Sequence, residues 1–116
     1  MRVMSEVENP ETTSEKEEEY FLPPASLDTL VRSVVAQAQF ALVGFETEKG
    51  KHEPDLRVAR HYIDLLAVIQ EKTRGNLTMD EQRLVENSLT ELRFRYIQAF
   101  EDSRKKAASQ AESAKA

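Results

Sequence analysis

Apolar residues along the chain fall into three stripes of helical period, separated by two breaks. In the first, Leu27, Leu30, Val31, Val34, Val35, Ala38, Ala41 and Leu42 share one side of a helical wheel, the pattern of an amphipathic helix. Ser26 is suited to cap its start, Asp28 to its first turn, and Gly44 to its end. The second stripe begins near Pro54-Asp55 and runs to Thr73 or Arg74, where Lys72 and Arg74 meet the negative end of the helix dipole and Gly75-Asn76 closes it. Its apolar arc is wide: Leu56, Ala59, Tyr62, Ile63, Leu66 and Ala67 share it with Val58, Leu65 and Ile69. Such an arc predicts neighbours on two sides. The third opens with Thr78-Met79-Asp80-Glu81, a capping box in which Thr78 and Glu81 satisfy each other's free amides. Val85, Leu89, Leu92, Tyr96 and Ala99 then alternate spacings of four and three, a short heptad seam.

The break from Gly44 to Pro54 holds two glycines and a proline and reads as a long loop. The second break, Gly75-Asn76-Leu77, is tight and predicts an antiparallel hairpin of the second and third helices. The expected fold is therefore all-α: one helix packed on a two-helix antiparallel hairpin, spanning residues 20–103. Residues 1–19 read as a disordered acidic arm, because Glu, Ser and Thr dominate and little apolar surface is available to offset ordering. Tyr20-Phe21-Leu22, before Pro23-Pro24, has the look of a docking segment. Residues 104–116 are small and polar, a frayed helix end or a disordered tail. The third helix is expected to reach Phe100 or beyond and so to overhang a compact bundle unless something covers it.

Charge refines this division. The 116 residues carry a net −5, and residues 1–20 account for all of it, with seven Glu against Arg2 and Lys16. The helical body is close to neutral, which favours association over mutual repulsion. An acidic balance disfavours duplex DNA and anionic membranes, whose binders cluster Lys and Arg. The first 20 residues have neither the apolar core of a secretory signal nor the Arg-rich character of a transit peptide. The longest uncharged run, Ser33 to Phe45, is too short to span a bilayer. These features read as a soluble cytoplasmic protein.

Candidate chemistry is sparse. With no cysteine and two histidines, thiolate zinc sites, disulfides and cysteine nucleophiles are excluded and a dedicated metal centre is disfavoured. The three glycines are isolated, so no phosphate cradle forms, and no strand-turn-helix offers a serine nucleophile its elbow. No catalytic, cofactor-binding or metal-ligating residue is assigned, and no cofactor is expected. His61 and Asp64 are three apart and within reach of each other. Arg57, Arg60, Asp64 and Glu71 share the polar sector that His61 borders, the pattern of a solvated face laced with ion pairs. Arg60, His61, Asp64 and Glu71 are therefore a candidate polar surface. Arg93-Phe94-Arg95 and Arg104-Lys105-Lys106 interleave cations with an aromatic, as single-strand binders do. Glu91, four residues before Arg95, and Glu101-Asp102 interrupt that run, and nucleic acid is disfavoured.

The most informative anomaly is apolar residues on the wrong helix faces. Phe40 and Val43 lie opposite the first stripe, Val68 breaks the polar sector of the second, and Phe94 and Ile97 lie off the third seam. Either residues 44–54 and 20–22 cover them, or another chain does. Three helices of this size make a thin core alone, which favours a second chain. Phe40, Val43, Val68, Phe94 and Ile97 are thus the candidate interface.

Pro23-Pro24-Ala25-Ser26, Pro54-Asp55-Leu56, Ala59-Arg60-His61 with Ile63-Asp64-Leu65-Leu66, and the run Gln70 to Thr78 resemble a small bacterial family, the domain of unknown function numbered 1844. The resemblance covers roughly residues 22–98. It implies a short, all-helical, cytoplasmic protein of unassigned activity and supplies no catalytic residues. The expected function is a non-enzymatic protein–protein interaction or self-association module, as a homo-oligomer or with a protein partner. The alternative is a ligand-binding or enzymatic accessory subunit using the His61/Asp64 face.

Overall fold

The structure, a computed structural model, describes residues 21–115. The acidic arm and Tyr20 lie outside the described residues. The described residues form three helices, α1 (Leu27–Leu42), α2 (Leu56–Lys72) and α3 (Met79–Lys115), with two short strands, β1 (Phe45–Thr47) and β2 (Gly50–His52), between the first two.

Each helix starts where a side chain caps it. The Ser26 hydroxyl accepts from the Thr29 amide at 3.1 Å, and the Thr29 hydroxyl donates to the Pro24 carbonyl at 2.7 Å. Asp55 Oδ1 accepts from the Val58 amide at 3.1 Å. At α3 the capping box closes in both directions: the Glu81 amide donates to the Thr78 hydroxyl at 3.1 Å and the Thr78 amide donates to Glu81 Oε1 at 2.8 Å. The turn into α3 needs a left-handed residue, and Gly75 supplies it with φ at 84°.

All three helices pack on one another. α1 contributes Val31, Ala38, Ala41 and Leu42 to the buried core, α2 Ala59, Ile63 and Leu66, and α3 Val85, Leu89 and Leu92. Tyr96 and Ala99 continue the α3 seam half-buried. The stripe positions thus become the core. Leu30, Val58 and Leu65 of the same stripes stay exposed, because the arcs are wider than the surface their neighbours cover. The start of α2 is tied to the end of α1 by the Asp55 amide, which donates to the Ala41 carbonyl at 2.8 Å.

One feature differs from the expectation. The stretch read as a loop contains a hairpin, with Phe45 opposite His52 and Glu46 opposite Lys51. Its base closes tightly on Gly44, where a Cβ would stand 3.0 Å from the His52 carbonyl oxygen and 3.2 Å from Pro54 Cδ. A side chain there would force the His52 carbonyl and the Pro54 ring to shift. The sequence left residues 104–116 as either a frayed helix end or a disordered tail, and α3 continues as helix through residues 104–115. That segment is rich in Ala, Gln, Glu, Lys and Arg, the strongest helix formers, so propensity extends the helix after the apolar seam has ended. At 1.5 Å per residue its 37 residues run about 55 Å. From Asp102 to Ala114 every residue is exposed. One tie holds the near part of this extension, an ion pair between Lys106 and Glu53. The hydrogen bond from Lys106 lowers the Glu53 pKa, helped by the charges of Lys106 and Lys51.

Three outcomes follow from this packing. Leu92, 1 % exposed, is expected to cost about 3 kcal/mol in urea unfolding when changed to Ala, and Leu92→Asp to abolish the cooperative transition. Thr78→Ala is expected to cost about 1 kcal/mol through loss of the α3 cap. Glu53 titrates below an ordinary carboxylate, so its contribution is present above the ordinary range and fades as pH falls through the lowered value. Carboxyl NMR should place its midpoint below that of other exposed glutamates, and Lys106→Ala should raise it toward theirs.

Candidate functional site

Two groups of surface residues carry whatever chemistry the helices offer. The first is the apolar set. Phe40 is 65 % exposed, Val43 and Val68 are exposed, and Phe94 and Ile97 are 61 % and 60 % exposed. The hairpin reaches Phe40: the Phe45 ring lies 5.2 Å from that of Phe40 and stacks on His52 at 4.6 Å. Phe40 remains open despite this contact. Phe21 and Leu22, expected to dock, are 79 % and 82 % exposed. Apolar docking needs a facing surface, and none of the described residues provides one for this pair. Phe100, one turn beyond Tyr96 and with its ring 6.5 Å away, joins the exposed set. Its place one turn past Tyr96 is the only mark the sequence gives of it.

The second group is the polar face of α2. Arg60, His61, Asp64 and Glu71 are all exposed. Asp64 turns to Arg60, with Nε to Oδ2 at 3.9 Å, and both side chains keep about 70 % of their surface open. A pair so exposed contributes little stability. His61 sets its ring edge-on to Tyr62 at 5.3 Å. Among the described residues there is no hydrogen bond between His61 and Asp64, and no group of three or more His, Cys, Asp or Glu placed to hold a metal ion.

The structure brings members of both groups together. A shallow cleft of about 280 Å³ between α2 and α3 is lined by Arg60, Ile63, Asp64, Arg93, Tyr96 and Ile97. Its floor is apolar and its rim charged. Phe40 and Val43 belong to α1 and the hairpin side and do not line it. Two further clefts lie along the same pair of helices: one involves Gln70, Arg74, Gln82 and Glu86, the other Glu53, Leu56, Ala99 and Lys106. The cations near Phe94 are largely committed within the chain. Arg95 pairs with Glu91 at 2.7 Å, Arg104 with Glu101 at 3.0 Å and Lys106 with Glu53. Arg93 takes part in no ion pair among the described residues. Such a surface can bury apolar side chains and orient a charged partner. It gathers no convergent set of buried polar groups that would bind or activate a reacting atom.

No helix among the described residues is long and apolar enough to cross a membrane. No curated protein and no solved structure matches the chain. One family does match, over residues 24–98, from just before the α1 cap to just past Tyr96 of α3. The chain belongs to that family, described as a domain of unknown function, DUF1844.

Proposed function

We propose that this chain is a non-enzymatic interaction module of the cytoplasm that associates with itself through exposed helix faces. The observation that carries the reading is the exposure of Phe94 and Ile97 on the outer side of α3, beside an apolar cleft. Large apolar side chains clustered beside a groove mark contact sites more often than solvated surface. The near-neutral helical body removes the charge repulsion that would oppose self-association. The underlying architecture is an antiparallel α2/α3 hairpin with α1 laid upon it. The three clefts support that arrangement, since they pair Gln70 with Gln82, Ile63 with Tyr96, and Leu56 with Ala99. As α2 descends in number, α3 ascends.

The second reading, a ligand-binding or enzymatic accessory subunit, draws on the same cleft, because Arg60 and Asp64 stand on its rim. Their exposure favours a role in orienting a partner over one in chemistry.

Phe94→Ser provides the test. The variant should keep its helical circular dichroism, because Phe94 lies outside the core, while the average mass in sedimentation falls toward that of one chain. An unchanged assembly state would remove the α3 face from the reading. His61→Ala should leave both helicity and mass as they were.

A further inference from the structure

We infer that two copies of this chain pair antiparallel along α3, about a two-fold axis that passes beside Ile97. The inference rests on the self-association reading and names its partner and geometry.

The helix itself points to the axis. α3 spans Met79–Lys115, and Ile97 is its central residue. At about 100° per residue, Arg83, Glu86, Thr90, Phe94, Arg104 and Ala108 all lie within about 60° of the direction Ile97 faces. All of them are exposed. This strip is distinct from the seam of Val85, Leu89 and Leu92, and it continues into the part past Asp102, where every described side chain is exposed. Two helices crossing antiparallel at their midpoints overlap completely. The extension of each copy then lies against the first half of the other's α3.

Charge decides the direction. Residues equidistant from Ile97 face each other in the antiparallel pair, so Arg93 meets Glu101 of the second copy and Phe94 meets its Phe100. Thr90 meets Arg104, and Arg83 comes beside Ala111 and Glu112. No residue of the strip stands opposite one of like charge. A parallel pair would set Arg93 on Arg93, Glu101 on Glu101 and Arg104 on Arg104, which is unfavourable at each level. Arg93 has no ion-pair partner among the described residues, and Glu101 has only the exposed bond to Arg104 at 3.0 Å, so both are available. By symmetry each contact away from the axis occurs twice. The cleft of Ile63, Tyr96 and Ile97 opens beside this strip, and the second copy's Phe100 comes to its mouth.

The chain has no cysteine, so single cysteines report the geometry cleanly. In the full-length chain, Ile97→Cys should form a covalent dimer under mild oxidation, since facing residues at the axis fall within disulfide range. Thr90→Cys alone should not, but an equimolar mixture of Thr90→Cys and Arg104→Cys chains should. Arg93→Glu and Glu101→Arg should each weaken the dimer about tenfold or more, and the double variant should recover most of that loss. Dimers that form in the unmodified chain, yet resist both single reversals and give no Ile97→Cys crosslink, would overturn this geometry and leave self-association standing. Self-crosslinking by Thr90→Cys alone would indicate a parallel pair and overturn it as well. A chain that stays monomeric at all concentrations would defeat both this inference and the self-association reading beneath it.

Discussion

Everything in this fold depends on a small apolar core that three helices share. Leu66, Leu89, Leu92, Val31 and Val85 are its largest fully buried side chains, and alanines fill much of the remainder. Ala38, Ala41 and Ala59 allow close packing but remove little apolar surface from water. A core so limited cannot cover every apolar position of three amphipathic helices. Leu30, Phe40, Val68, Phe94 and Ile97 remain outside it. The same constraint that sets the helix arrangement therefore also sets the character of the surface.

Caps and turns fix where that core can form. Ser26, Asp55 and the Thr78–Glu81 box each end a loop and begin a helix at one residue, so the buried stripes enter in register. The bond from the Asp55 amide to the Ala41 carbonyl joins two of these boundaries. The hairpin between them is a small, exposed excursion held by the facing of Phe45 on His52 and Glu46 on Lys51. Its Phe45 ring lies against Phe40.

The three helices were legible because each combines a cap with a long apolar period, and long periodic segments carry the strongest sequence signal. The capping box in particular needs only Thr78 and Glu81 at the right spacing. The hairpin was not legible, since three-residue strands with all side chains exposed show no alternation to detect. The last third of α3 escaped for a different reason. Its helicity comes from composition alone, with no buried face to impose a period. The exposed residues of the candidate surface were visible as off-stripe positions, and the structure leaves them exposed. That Arg60, Asp64 and Ile97 would line one cleft was not visible, because it depends on how α2 and α3 pack rather than on either stripe. In the sequence Arg93 is one member of a basic run, and its place on the rim of that cleft follows from the same packing.

The long third helix carries exposed apolar side chains at its midpoint, Phe94, Ile97 and Phe100, in a chain with so small a core. In the pairing we propose, a second copy would supply the surface that the first cannot provide for itself. Sedimentation equilibrium of the unmodified full-length chain across a concentration series tests this most directly. The account predicts a mass that rises with concentration and levels at two chains. A mass that stays at one chain throughout, or climbs past two without a plateau, would contradict it.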